Sequence, residues 1–188
     1  RPDLQQQLGQ RCSTLAAVHG KLGEHTQAEA AYRRALATFR LLVNDYPGHA
    51  EYRQDLALCL NGYANWLLQR GQWELAESTF TEAAAIYEQY LLKRFPKHLQ
   101  WRQELAMCYA NLGVLCRQRS RLSEAEEYYR KCLDLLHQLA RECPDHAGVQ
   151  KDLGRAHYNM AVCLAARKRL PEARMACTEA VIAYQHLT

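Results

Sequence analysis

Three histidines recur at one position of a repeating pattern in this 188-residue sequence, and histidine is a common metal ligand. His49, His98 and His146 each follow a proline by two residues, at intervals of 49 and 48 residues. Side chains in successive units of a helical repeat lie about 10 Å apart, which is too far for one ion to bind them together. We therefore interpret the histidines as capping or packing residues and predict no metal site.

Carboxylates recur in the same way. Asp55, Glu104 and Asp152 are also 49 and 48 residues apart, but the sequence places no base beside them in a pocket. We interpret them as residues of first helical turns, where a negative charge suits the helix dipole. The motifs G-x-S-x-G, Walker loop and H-E-x-x-H are absent from the sequence. The chain is predicted not to be an enzyme, and no catalytic residue or cofactor is expected.

Thiol chemistry is the third option, since the sequence contains eight cysteines. None forms a C-x-x-C pair, which argues against the common zinc and thioredoxin-type sites. Cys59 and Cys108 occupy equivalent positions of the pattern, and Cys132 stands where other repeats carry alanine. We interpret the cysteines as small core residues that are reduced inside the cell, with disulfides as the alternative.

The sequence repeats itself at a fixed interval, and this interval predicts the helices that carry these residues. Four leucines, 48, 49 and 48 residues apart, are each followed 20 residues later by an alanine: Leu8 and Ala28, Leu56 and Ala76, Leu105 and Ala125, Leu153 and Ala173. Such a period is typical of a solenoid, whose units bury their apolar faces against their neighbours. The repeats span about residues 3–47, 50–96, 99–144 and 147–188. We expect one array over residues 1–188, cut from a longer protein.

Apolar residues at i, i+3, i+4 and i+7 predict two helices in each repeat. Pro47, Pro96 and Pro144 end helices, because the residue before a proline is pushed towards extended geometry. The predicted fold class is all-α, an α-solenoid of four helix-turn-helix repeats. Its eight helices cover roughly residues 3–22, 25–45, 50–70, 73–94, 99–119, 122–143, 147–167 and 170–187.

Polar residues near the helix starts predict caps. Ser123 with Glu126, and Thr26 with Glu29, have capping-box spacing, and Asp3 is the expected cap of the first helix. Such caps satisfy backbone N–H groups that have no partner inside the helix.

Small residues are expected at the hairpin turns. Gly23 and Gly71 fill this position in the first two repeats, where a left-handed backbone costs glycine nothing. Ser120 and Lys168 replace them later, so those turns are expected to be strained or differently shaped. The recurring alanine, such as Ala125, allows the two helices of a hairpin to approach closely.

Within a hairpin, two adjacent residues of the first helix precede an alanine, an aromatic residue and a small residue. The third repeat has Leu112, Gly113, Ala125, Tyr129 and Cys132 in these places. This pattern resembles the tetratricopeptide repeat family. Its usual period is 34, so the helices here are longer, as in kinesin light chains and in arrays attached to bacterial signalling kinases. The resemblance implies a right-handed superhelix whose first helices line a concave, peptide-binding groove.

The resemblance also assigns groove positions. Asparagine is a poor helix former whose amide both donates and accepts, so the asparagines in the groove would bond the backbone of an extended peptide. The alternative is that they only bridge neighbouring helices. Arg155 would add a charge-assisted bond to a ligand carboxylate. The groove positions are Gln10, Ser13, Ala17, Lys21, Leu58, Asn61, Asn65, Leu68, Gln69, Met107, Asn111, Val114, Arg117, Gln118, Arg155, Tyr158, Asn159, Val162 and Ala165.

Cations crowd the hairpin turns of the third and fourth repeats, and the chain has a formal net charge of +4. Glutamates at the starts of the second helices would neutralise these cations. Positive charges also interact favourably with the helix dipole at the C-terminal ends of the first helices. Aromatic residues interleaved with the cations, as stacking on single strands requires, are missing. This basic rim comprises Arg117, Arg119, Arg121, Arg167, Lys168 and Arg169.

The sequence therefore predicts a protein–protein interaction or adaptor domain that binds a peptide or partner segment in the groove. One alternative is a structural spacer or self-associating scaffold of a larger signalling protein, and another is nucleic-acid binding along the rim. No apolar run approaches the roughly 18 residues of a membrane span, and a cytoplasmic location is expected. A self-associating surface would use the last helix through Ala176, Ala180, Val181, Tyr184 and Leu187.

Overall fold

The computed structural model of the chain describes residues 1–185, and the regular elements there are helices. The predicted all-α fold and the positions of the eight helices are confirmed, since the fourth helix runs through three consecutive segments. The elements are α1 Pro2–Lys21, α2 His25–Asp45, α3 Ala50–Gln69, α4 Trp73–Ala85, a π-helical segment Ile86–Leu91, α5 Leu92–Arg94, α6 Leu99–Gln118, α7 Leu122–Glu142, α8 Ala147–Ala166 and α9 Leu170–Gln185.

The chain divides into two compact units, unit 1 from Arg1 to Phe95 and unit 2 from Pro96 to Thr188. Unit 1 contains the hairpins α1–α2 and α3–α4, and unit 2 contains the hairpins α6–α7 and α8–α9. The prediction of a single array over residues 1–188 stays a prediction.

The recurring alanines lie in the helix contacts of both units. Ala28, Ala76 and Ala125 have no exposed surface, and Ala173 is 7% exposed. A side chain that stops at Cβ lets the paired helices approach, and a larger one would overpack the contact. The packing role predicted for these residues is confirmed.

All four hairpin turns use a left-handed backbone. Gly23 and Gly71 have φ values of 77° and 70°, and Ser120 and Lys168 have φ values of 60° and 61°. The later turns therefore have the same conformation as the earlier ones. For Ser120 and Lys168, which have a Cβ, this left-handed backbone is strained and costs about 1–2 kcal/mol each.

The predicted capping boxes are wrong. Helix α7 begins at Leu122 with Arg121 as N-cap, and α2 begins at His25 with Glu24 as N-cap. Neither N-cap side chain makes a capping hydrogen bond, and Ser123 and Thr26 lie inside the helices. Both helices start directly after the hairpin turn, so the polar residues fall too late to cap them.

The cap predicted at Asp3 is also wrong. Arg1 is the N-cap of α1, and Asp3 lies in the first turn after Pro2. Its carboxylate is thus placed where it suits the helix dipole.

The three recurring histidines are N-cap residues, as predicted. Nδ1 of His98 accepts from the backbone N–H of Trp101 at 3.3 Å, and Nδ1 of His146 accepts from that of Val149 at 3.2 Å. His49 is the N-cap of α3 and stacks on the Tyr52 ring at 5.1 Å.

The π-helical segment Ile86–Leu91 was not predicted, although the sequence contained its signal. In the second repeat the closing proline, Pro96, comes 20 positions after the recurring alanine, Ala76, and in the first and third repeats it comes 19 positions after it. A π turn, with its i→i+5 hydrogen bonds, absorbs one extra residue without ending the helix. Ile86, Tyr87 and Leu91 are consequently buried with the rest of the helix.

Two of the residues predicted to be uncovered on the last helix are buried. Ala176 and Ala180 are buried at 8% and 5% exposure, because they face α8 within the hairpin. Val181 and Tyr184 are exposed at 55% and 43%. Leu187 lies outside the described residues.

Candidate peptide-binding surface

Unit 1 has a surface pocket of about 140 Å³ along its first helices. Four of its lining residues, Ala17, Lys21, Asn65 and Gln69, were predicted as groove residues. The structure therefore brings together side chains from α1 and α3 that lie 48 residues apart in sequence, as between Lys21 and Gln69. The other lining residues are Gly20, Tyr32, Gly62 and Trp66.

Two glycines leave the space for this pocket. A Cβ on Gly20 would meet Cδ1 of Trp66 at 2.8 Å, so a side chain there would displace the indole. A Cβ on Gly62 would meet the Tyr32 ring only at 3.6 Å, an ordinary contact. Sequence reasoning missed these glycines, because a glycine inside a helix costs about 1 kcal/mol and signals a close approach only when its neighbour is known.

The pocket has an aromatic wall. The rings of Tyr32 and Trp66 lie 6.2 Å apart, and Tyr63 stacks on Trp66 at 5.9 Å. Burial raises the pKa of Tyr32 to about 12, so its phenol stays protonated at neutral pH. Nε1 of Trp66 is buried and has no acceptor among the described residues. An unpaired buried donor of this kind costs about 1–3 kcal/mol.

Asn65 and Gln69 each bring a side-chain amide to the pocket, and Asn65 is the one with a hydrogen bond to its own helix. Its Nδ2 donates to the backbone oxygen of Asn61 at 2.9 Å, within the same helix. The amide is thus oriented by its own helix and does not bridge to another one through this bond. An amide has two donor hydrogens and two acceptor lone pairs, so this bond uses part of its capacity.

Amide–carboxylate bonds join the first helices within each unit. Nε2 of Gln6 donates to Asp55 at 2.6 Å, and Nε2 of Gln103 donates to Asp152 at 2.6 Å. Gln10, a predicted groove residue, also donates to Asp55, at 3.1 Å. The first-turn role predicted for Asp55 and Asp152 is wrong, because each is the sixth residue of its helix and accepts from the preceding first helix. The recurrence of glutamine 49 residues before each aspartate was the missed signal.

In unit 2 the structure brings Met107 and Arg155 together. Nη2 of Arg155 lies 2.6 Å from Sδ of Met107 and donates to Asp152 at 2.9 Å. The guanidinium predicted to bind a ligand carboxylate therefore already has a carboxylate partner. Burial, with Asp152 close by, raises the pKa of Glu104 above its usual range.

The other predicted groove residues differ in exposure. Leu68 is a correction, since it is 9% exposed and belongs to the core of unit 1. Tyr158 is 58% exposed. Gln118 is also exposed, and half-buried positions are held by Asn61, Asn111, Val114, Arg117 and Asn159.

In unit 2 the position equivalent to the pocket glycine of unit 1 carries a large side chain. Arg117 occupies the position of Gly20, and its guanidinium lies beside the phenol of Tyr129, the counterpart of Tyr32. Burial raises the pKa of Tyr129 to about 12. A glycine thus lines the unit 1 pocket at the repeat position that holds an arginine in unit 2.

Part of the basic rim is paired with carboxylates, as predicted. Glu126 is only 2% exposed and binds Arg130, Arg167 and Arg169, the last at 2.7 Å. Arg169 also binds Glu172. Glu126, assigned to a capping box, is instead the centre of a buried ion-pair cluster.

The cysteines are free thiols, and six of the eight are buried. Burial raises the pKa of Cys59 to about 11, which keeps it protonated. Cys143 is half-buried and Cys177 is exposed. In residues 1–185 there is no group of three or more His, Cys, Asp or Glu side chains that could hold a metal ion. The helices described there include none that is both long and apolar enough to span a membrane.

Stacked helix hairpins with a small residue at each contact define a helical repeat protein. Models described as tetratricopeptide repeat match residues 9–51 and 60–138, which together are well over half of the chain. The chain belongs to the tetratricopeptide repeat family. Repeats of this family generally serve as scaffolds for protein–protein interaction.

The fold is similar to that of a solved structure with a TM-score above 0.5, and two others were found with lower scores. BtubC (BKLC) from P. vanneervenii is 20% identical, with a TM-score of 0.59 over 98% of this chain and 83% of that chain. The MamA RS-1 ArsTM double mutant is 15% identical, with a TM-score of 0.49 over 94% of this chain and 75% of that one. A MamA protein is 14% identical, with a TM-score of 0.49 over 95% and 92%. No curated protein matches the chain.

Proposed function

We propose that this chain is an interaction module that binds an extended peptide along its first helices, anchored in unit 1 at the pocket around Asn65. The observation that supports this most is the pocket itself, which combines a glycine-lined opening, an aromatic wall and polar side chains. Ligand pockets commonly combine an apolar lining with a few placed polar groups.

The chemistry of the pocket suits one side chain of a peptide and the backbone next to it. An apolar side chain would enter beside Gly62 and contact the rings of Tyr32 and Trp66. The amides of Asn65 and Gln69 would bond the peptide backbone whatever its sequence. Lys21 would favour an acidic residue next to the anchor.

Unit 2 offers further polar and apolar side chains on its own first helices. Met107 and Arg155 lie side by side, and Tyr158 is exposed. We propose that these residues, with Asn111 and Asn159, bind peptide backbone in the same manner. The buried free thiols suit a reducing cytoplasm, which we propose as the place of action.

The proposal is tested by selecting binders from a random peptide library and measuring their affinity by fluorescence anisotropy. Asn65→Ala and Gly62→Leu should each weaken binding at least about tenfold while thermal stability is retained. The control is Thr81→Ala, which changes an exposed residue of α4 outside the pocket. An absence of enriched peptides, or binding that ignores the pocket variants, would contradict the proposal.

Self-association as a scaffold is favoured by a different observation. Leucines and a valine form an exposed stripe along α1, with Leu4, Leu15 and Val18 at 59%, 50% and 46% exposure. Exposed apolar stripes mark interaction surfaces more often than single exposed residues do. Sedimentation at rising concentration tests this candidate, which predicts a larger species that Leu15→Glu dissociates.

A further inference from the structure

A second pocket of unit 1, of about 190 Å³, is lined by two arginines. Arg53 is the fourth residue of α3 and is half-buried, and Arg94 is the last residue of α5 and is exposed. Among residues 1–185, neither guanidinium pairs with a carboxylate. Two positive charges at one pocket favour a negatively charged ligand.

The third repeat has a carboxylate at the equivalent place. Arg102 corresponds to Arg53, since both stand three residues before the recurring leucine. Nη1 and Nη2 of Arg102 donate to the two carboxylate oxygens of Glu142, at 2.6 Å and 3.0 Å. Glu142 is the last residue of α7, and Arg102 is only 5% exposed. An arginine at this repeat position is therefore able to bind a carboxylate through two parallel hydrogen bonds.

The second repeat has a positive charge where the third repeat has that carboxylate. The second helix ends two residues before the closing proline in each case, at Asp45, Arg94 and Glu142 in the first three repeats. Arg53 thus has the position of one member of an ion pair, and a like charge has the position of the other. A carboxylate bound between the two arginines would replace this repulsion by attraction.

Aromatic rings hold both guanidiniums at the pocket. Cζ of Arg53 lies 5.3 Å from the centroid of the Tyr90 ring. Cζ of Arg94 lies 5.5 Å from the centroid of the Phe95 ring. Arg53 also donates from Nη1 to the backbone oxygen of Pro47. A guanidinium that contacts a ring through its face keeps its N–H edges for hydrogen bonds, so Nε and Nη2 of Arg53 remain for a carboxylate.

The size and the surroundings of the pocket indicate the kind of ligand. Pockets for whole small molecules have about 300–1,000 Å³, so this smaller pocket suits a single side chain. One adjoining opening shares Arg53 and has apolar lining residues that include Leu56 and Ile86. Another adjoining opening shares Arg94 and is also lined by Glu51, which is exposed. A polypeptide with one side chain in the pocket could therefore continue on both sides.

We propose that unit 1 binds an aspartate or glutamate side chain of a partner protein between Arg53 and Arg94. The ligand carboxylate occupies the place that Glu142 has in unit 2, and an apolar residue beside it occupies the opening at Leu56. The acidic residue lies inside the partner segment, since both adjoining openings receive chain. Asn65 is 12 residues further along α3, about 18 Å, so this site is separate from the pocket of the proposed function.

The test selects binders from two libraries of short displayed peptides, random except for a central glutamate in one and a central glutamine in the other. The bait is the whole chain with Gly62→Leu, which blocks the pocket around Asn65, so the result does not depend on the proposed function. Asn65→Ala is the bait if Gly62→Leu is not helical. Selected peptides are synthesised with free and with amidated C-termini, and their affinity is measured by fluorescence anisotropy.

Two variants of the bait copy the other repeats. Arg53→Gln copies Gln150, which donates to the Pro144 backbone oxygen at 2.9 Å as Arg53 donates to that of Pro47. Arg94→Glu copies the carboxylate of the third repeat. The matched control is Lys93→Glu, which makes the same change of charge one residue away, at an exposed position outside the pocket lining.

Glutamate-centred peptides should be enriched over glutamine-centred ones. Arg53→Gln and Arg94→Glu should each weaken their binding at least about tenfold, and Lys93→Glu should weaken it by less than about threefold. Arg94→Glu should also raise the thermal midpoint, because it gives Arg53 an ion-pair partner like that of Arg102.

The site is overturned if glutamate gives no advantage over glutamine, or if Arg94→Glu binds as well as the bait. An equal loss in Lys93→Glu would overturn it too, since the effect would then be one of general charge. Tighter binding of peptides with phosphoserine in place of the glutamate would overturn the assignment to a carboxylate. Binding that is lost on amidation of the C-terminus would overturn the assignment to a side chain.

Discussion

At the scale of single residues, Glu126 has the clearest structural role, because its buried carboxylate binds three arginines. We expect Glu126→Gln to lower the free energy of unfolding by about 2–4 kcal/mol, since it removes the buried charge that Arg130 and Arg167 bind, while Arg169 keeps Glu172 as its partner. Urea denaturation measures this.

Glu124→Gln is the matched control for that change. Glu124 pairs with Arg121 at 3.6 Å, and its side chain is 53% exposed. An exposed pair contributes little, so the expected loss is within about 0.5 kcal/mol. Equal losses in the two variants would contradict the buried ion-pair cluster.

We expect the stability of the protein to depend on pH through His157. Burial lowers the pKa of its imidazole in the folded state, so the unfolded chain binds its proton at a higher pH. Stability should therefore be complete above the ordinary value of about 6.5 and should fall as the pH drops below it. His137 adds to the shift and Glu179 opposes it.

Thermal unfolding between pH 7.5 and pH 5.5 measures that dependence. His157→Leu copies Leu60, the residue at the equivalent repeat position of unit 1, and should lose less stability than the wild type over this range. A wild type and variant with parallel pH profiles would show that His157 does not cause the effect.

At the scale of the helix, the glycines of the first helices differ in how closely an aromatic ring of the second helix packs against them. A Cβ on Gly113 would lie 2.5 Å from the ring of Tyr129, which is fully buried. We expect Gly113→Ala to destabilise the chain by about 1–3 kcal/mol, because the ring has no room to move.

Gly62→Ala adds the same methyl group at a position where it fits. The added Cβ would lie 3.6 Å from the Tyr32 ring, which is an ordinary contact distance. Alanine is a better helix former than glycine, so this variant should be neutral or up to about 1 kcal/mol more stable. Denaturant titration of both variants isolates the packing effect. A stabilising Gly113→Ala would contradict the described contact.

Helices and their boundaries could be predicted because apolar periodicity and proline act locally. The capping boxes failed because Ser123 and Thr26 lie after the first residue of their helices, and spacing alone does not fix where a helix begins. The one extra residue in the second repeat indicates an irregularity in its second helix. It does not show which turn accommodates that residue, so the π segment was not predicted.

At the scale of the whole molecule, the candidate site was predicted in part. The resemblance to the family placed Asn65 and Lys21 on the groove, and the structure finds both at the pocket. Leu68 was misplaced, because an apolar residue at the edge of the groove pattern can equally belong to the core, where the structure has it. The openness created by Gly20 depends on Trp66, far away in sequence, and no local pattern reveals it.

The central claim is that the first helices bind a peptide, and hydrogen exchange of the whole chain with and without a selected peptide tests it most directly. The account predicts slower exchange in α1 and α3 around Lys21 and Asn65, and the protection should disappear in Gly62→Leu. Protection confined to the second helices α2 and α4, or unchanged by Gly62→Leu, would contradict it.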